Sequence, residues 1–161
     1  MNKLQITMLL LVLIVACKSK TTGTAEETKV PKSAFTVLKP SEADAAQSRK
    51  AYELGKRVLM TCNTSKFKAF NSSEATPSVI ENTTQARLTK TCHAFRLKYG
   101  DFKDIRLVTV YRNERDKSHI YRYKAEYTKP IANKELRVTM NAENKVSSIK
   151  SADWVDNYTP Q

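Results

Sequence analysis

The stretch Ile120-Tyr121-Arg122-Tyr123-Lys124-Ala125-Glu126-Tyr127-Thr128 decides the fold class. Tyr121, Tyr123, Ala125 and Tyr127 share one face of a period-two repeat, while Arg122, Lys124 and Glu126 share the other. That is the pattern of a strand buried on one side only; a helix would scatter these side chains around its axis. Residues 105–112, on one side, are rich in β-formers. Residues 135–141, on the other, alternate with Leu136, Val138 and Met140 inward, and residues 146–154 read as a weaker fourth strand through Ile149. The connections at 113–118, 129–133 and 141–145 are short and polar, as hairpins require.

Before Gly100 the period lengthens to that of a helix. Ala51, Gly55, Val58 and Cys62 recur on one stripe, with Leu54 and Leu59 beside them. Ser41 suits an N-cap for this helix, and Glu42 and Asp44 suit the positive end of its dipole. A short helical piece carrying Phe67 and Phe70 is expected next, then a break at Asn71-Ser72-Ser73 and another short helix over 74–80 around Pro77. Thr83 or Thr84 caps a long helix that lines up Leu88, Cys92, Phe95 and Tyr99, and Gly100 sits where a C-terminal cap belongs. Helices followed by four sequential strands define an α+β domain, its helices packed on one face of a curved four-stranded antiparallel sheet.

The N-terminus carries a different message. Met1-Asn2-Lys3 is a short positive region, residues 4–16 are apolar except for Gln5 and Thr7, and Cys17 follows at once. A run of roughly a dozen apolar residues is short of the ~20 needed to cross a bilayer, so length and flanks favour a cleaved signal. Ile14-Val15-Ala16-Cys17 resembles the lipobox of bacterial lipoproteins. The resemblance implies removal of residues 1–16 and lipidation of Cys17; the Lys-, Thr- and Ser-rich composition with Pro31 and Pro40 then makes 17–40 the lipidated Cys and a flexible tether, and Pro40-Ser41 opens a folded domain over 41–161. It places the protein in the bacterial cell envelope, partnered with the membrane through its lipid. Lys18-Ser19-Lys20 has no acidic residue after the Cys, which permits sorting to the outer membrane, facing periplasm or surface. Within the tether, residues 34–38 form the one apolar patch, which either docks on the domain as a strand or arm or stays linker.

Residues 41–154 resemble small bacterial domains of the nuclear-transport-factor-2-like superfamily. The carrying features are Phe67 and Phe70, then Tyr99-Gly100-Asp101-Phe102-Lys103-Asp104-Ile105 at the helix-to-strand junction. Leu136-Arg137-Val138-Thr139-Met140 and Lys145-Val146-Ser147-Ser148-Ile149 complete the order. The resemblance implies a cone-shaped α+β barrel with an internal pocket. The superfamily contains isomerases, dehydratases and many non-enzymes, so the fold does not supply the function.

Chemistry is thinly signposted. Proton transfer in such a cone needs a desolvated carboxylate or His. His93 is turned about 100° off the Cys92 stripe, and His119 opens a strand beside a charged turn, so both read as surface or boundary residues. Glu126 reads as a cross-strand ion pair with the Arg122/Lys124 face, and Asp101 and Asp104 bracket a strand entry. No metal-ligand spacing and no cofactor motif is present, and Cys92 and His93, adjacent on a helix, cannot face one metal. The triplets at 63–65, 71–73 and 82–84 look like glycosylation acceptors and are assigned no role. The expectation is a non-enzymatic protein that binds a small molecule in the cone or another envelope protein. A hydrolase or isomerase in the pocket and an inhibitor or immunity-type module are the alternatives.

The chain is basic, with formal net charge +12. From residue 41 onward it has 22 Lys+Arg against 14 Asp+Glu, so the domain itself carries an excess. Arg112, Arg122, Lys124 and Arg137 are expected to gather on the outer sheet face as a patch for anions. In an envelope, anionic headgroups, lipopolysaccharide or an acidic protein suit it better than nucleic acid. Cys62 and Cys92 lie on the apolar stripes of the two long helices. They form a disulfide or remain two buried thiols, and the thiols are preferred because packed helix axes sit about 8–10 Å apart while a bridge needs Cα atoms within about 7 Å.

Overall fold

The computed structural model describes residues 34–161; the signal segment 1–16, Cys17 and the tether as far as residue 33 lie outside the described residues. In chain order the elements are β1 (Phe35–Leu38), a 3₁₀ turn (Pro40–Glu42), α1 (Ala45–Thr64), α2 (Pro77–Asn82) and α3 (Gln85–Tyr99). Four strands follow: β2 (Phe102–Asn113), β3 (His119–Tyr127), β4 (Lys134–Met140) and β5 (Val146–Asp153). The sheet is antiparallel throughout, in the order β1-β2-β3-β4-β5. The α+β class and the run of four strands after the helices agree with the sequence pattern, but a strand also precedes the helices.

The strand count does not: there are five strands, not four. The fifth comes from the apolar patch, where Phe35 lies opposite Asn113 and Leu38 opposite Val110. The patch pairs with the β2 edge that β3 leaves free, and Leu38 packs against the core beside Val110. Four residues are too short for alternation to separate a strand from a linker.

Tyr121, Tyr123 and Ala125 are buried on the helix-facing side with Leu136, Val138 and Met140, as their alternation requires. Ala51, Leu54, Val58 and Leu59 of α1 pack onto them. Gly55 sets how closely α1 approaches the sheet, because a Cβ there would lie 2.8 Å from Leu136 Cδ2 and 3.0 Å from Val138 Cγ2. Gly100 ends α3 with φ +78°, and a Cβ would meet Thr128 Oγ1 at 2.0 Å. Only glycine suits that position.

Local details differ where short-range chemistry decides. Asp44, not Ser41, caps α1, its carboxylate accepting from the Gln47 N–H at 2.6 Å. Ser41 instead lies in the 3₁₀ turn. No helix forms around Phe67 and Phe70. α1 stops at Ser65 in the left-handed region, and the two rings meet edge-on with centroids 5.3 Å apart in irregular chain. α2 begins at Pro77 rather than Glu74, because Ala75 is engaged in a parallel bridge with Val146. Arg57 clamps this loop through two bonds to Glu74, at 2.8 and 3.0 Å. That hydrogen bonding holds the Glu74 carboxyl below its ordinary pKa.

Candidate ligand cavity and charged outer face

α1 lies on the sheet, whereas α3 packs chiefly on α1. In its 15 residues α3 buries only Cys92 and Tyr99. Two ties hold it. Cys62 and Cys92 form a disulfide with Cα atoms 4.7 Å apart, and Tyr99 meets Tyr127 of the sheet in a tilted ring pair with centroids 5.9 Å apart. The preference for two thiols is thereby corrected: at this crossing the two backbones lie within bridging distance, closer than packed helix axes average.

A helix held off the sheet leaves a wedge beneath it. The resulting cavity holds about 220 Å³ and is walled by Val58 and Leu59 from α1, Leu88 and Phe95 from α3, and Phe102, Tyr127 and Leu136 from the sheet. Asn63 also reaches its wall, but its amide is spent on the sheet, donating to the Phe102 carbonyl at 2.7 Å and accepting from the Phe102 N–H at 3.0 Å. The titratable side chains of the lining are Arg96 and Tyr127. Arg96 pairs with Asp101 at 2.9 Å. Burial pushes the Tyr127 hydroxyl up to about 12, so at neutral pH it stays protonated and acts as a donor rather than a base. For scale, an engineered apolar cavity of roughly 150 Å³ binds benzene or xenon.

The outer face of the sheet departs from the expected anion patch. Arg122 is buried: its Nε and Nη2 reach Glu135 Oε2 at 2.7 and 2.6 Å, and another bond goes to the Val155 carbonyl. The segment after β5 folds back over this face. The Trp154 ring sits 3.9 Å from the Arg122 guanidinium, and Lys124 lies 4.6 Å from the same ring. Arg112 is drawn to Glu114 at 3.7 Å. Of the four expected cations only Arg137 lines an outer groove. The reason is desolvation: a buried Arg122 requires a buried counter-charge, and Glu135 supplies it. Glu126 pairs with Arg106 at 3.8 Å rather than with Arg122 or Lys124.

His93 is exposed, off the buried stripe. His119 is half-buried opposite Arg112, its Nδ1 buried without a hydrogen-bond partner, and burial lowers its pKa. Neither lines the cavity. Lys134 was not singled out from the sequence. It is buried against α3, bonded to Asp153 at 2.8 Å and lying over Phe95 and Tyr99 at 5.3 and 5.6 Å. The covering segment was also missed: Trp154, read as the end of the last strand, lies just past β5, which stops at Asp153, and it packs with Tyr158 over the outer face.

Among the described residues no helix is long and apolar enough to cross a membrane, and no group of three or more His, Cys, Asp or Glu is placed to hold a metal ion. No protein-family model, curated protein or solved structure matches the chain. What the molecule defines is therefore a class by architecture: an α+β domain with an apolar cavity between a disulfide-tied helix and an open five-stranded sheet.

Proposed function

We propose that the chain is a non-enzymatic envelope lipoprotein, anchored through Cys17, whose domain binds a small, largely apolar molecule beneath α3. The observation that carries the binding reading is the cavity of about 220 Å³ with its apolar walls. The pocket opens to solvent at one side and its lining is mostly apolar, so a ligand seated there removes apolar surface from water. The Tyr127 hydroxyl suits a ligand with one polar atom. A protonated tyrosine and an ion-paired arginine offer no base, which supports binding over hydrolase or isomerase chemistry. An internal pocket is also what the nuclear-transport-factor-2-like resemblance implies; the Lys3-to-Cys17 pattern supports the anchor, and Lys18-Ser19-Lys20, without an acidic residue after Cys17, is compatible with an outer-membrane location.

Thermal melting in the presence of benzene and of indole tests the reading. A ligand at about 100 times its Kd adds about 2.7 kcal/mol to the folded state, which raises Tm by several degrees. Leu88→Phe fills the space and abolishes that rise while the ligand-free protein stays folded. No rise in the unsubstituted protein, or an equal rise in Leu88→Phe, contradicts the proposal.

A further inference from the structure

On the outer face, away from the cavity, four donor side chains form a rectangle. Arg137 lies opposite Lys150 and Thr139 opposite Ser148 across the β4–β5 pair. Opposed residues on one face have Cβ atoms about 5 Å apart, and successive same-face residues of one strand are about 7 Å apart. All four line a groove of about 260 Å³ walled by Tyr158. Among the described residues, the Lys150 ammonium and the Thr139 and Ser148 hydroxyls have no hydrogen-bond or ion-pair partner.

Arg137 is held in place for a further contact. Its guanidinium lies 4.6 Å from the Tyr158 ring centroid. Its Nε is 3.0 Å from Glu135 Oε1, close enough for charge attraction, yet buried without a hydrogen bond of proper direction. Glu135 is shared with Arg122, which engages Oε2. One carboxylate thus serves two guanidiniums, and Lys150 adds a further positive charge. Asp116, at the rim, opposes this field, although its Oδ1 accepts from the Ser118 N–H at 2.9 Å.

We propose that this groove is a binding site for a phosphate group, with Arg137 and Lys150 supplying charge and Thr139 and Ser148 supplying directed hydrogen bonds. A tetrahedral anion has acceptor oxygens for all four donors, whereas a carboxylate has two oxygens. The planar fork of an arginine fixed on an aromatic ring is suited to such an oxyanion. The phosphate belongs either to a soluble ester or to a lipid headgroup.

Equilibrium dialysis of the full chain against radiolabelled inorganic phosphate tests the site. Lys150→Gln, an exposed change that leaves the fold alone, weakens binding about tenfold, the scale of one charge-assisted bond. Asp116→Asn tightens it, and Lys90→Gln, on the exposed side of α3, leaves it unchanged. Co-sedimentation with phosphatidylglycerol vesicles separates the sources. A loss of vesicle binding in Lys150→Gln assigns the phosphate to a lipid, and vesicle binding indifferent to Lys150 assigns it to a soluble molecule. Equal weakening in Lys150→Gln and Lys90→Gln, or no phosphate bound at about 50 mM, where even a very weak specific site fills, overturns the proposal.

Discussion

Removing the disulfide with Cys62→Ala and Cys92→Ala tests how α3 is held. The bridge spans 30 residues. By the chain-entropy relation a loop of that length, once closed, destabilises the unfolded state by about 3.6 kcal/mol at 25 °C. α3 itself buries only Cys92 and Tyr99. A free helix of about 15 residues is marginal in water. With a urea slope of about 2 kcal/mol/M, the midpoint should fall by about 1.8 M. The same fall should follow reduction of the unsubstituted protein by dithiothreitol, and the double variant should not respond to the reductant. Hydrogen exchange should quicken most in α3, while α1 keeps its protection against the sheet. Equal midpoints for the oxidised and reduced protein would refute this reasoning. So would free thiols at Cys62 and Cys92 in the unfolded, unreduced chain.

Gly55→Ala should destabilise the domain by about 1–2 kcal/mol in urea melts. The helix-propensity gain of up to about 1 kcal/mol is outweighed by overpacking against the fully buried Leu136 and Val138; an unchanged or higher midpoint would contradict the close approach of α1. Because the Glu74 pKa is depressed in the folded state, its pair with Arg57 contributes stability above the unfolded carboxyl pKa and loses it as pH falls through the folded value. Glu74→Gln should therefore flatten the acid limb of stability against pH, and an unaltered limb would place the titration elsewhere. Cys17→Ser should move the native protein from the detergent phase to the aqueous phase, and mass spectrometry of the native form should find Cys17 as the first residue; any other start sinks the anchor.

The sheet was legible because one buried face imposes a period of two over several residues, as at Tyr121, Tyr123 and Ala125. The same alternation misplaced Arg122. Period assigns a residue to a face but not to solvent, and the covering segment around Trp154 and Tyr158 lies beyond the strand that carries the pattern. Phe67 and Phe70 have helical spacing, yet the αL cap at Ser65 and the Ala75–Val146 bridge commit that chain to irregular structure. The cavity had no local signal at all. Leu88 and Phe95 look like core on a stripe, and only the stand-off of α3 from the sheet turns them into a lining.

The most direct measurement of the central claim is diffraction from crystals of the protein under xenon pressure, since a mostly apolar pocket takes up this atom without any polar recognition. The account predicts xenon density among Leu88, Phe95, Tyr127 and Leu136, lost in Leu88→Phe. Side chains filling that space, with no xenon between α3 and the sheet, would contradict it.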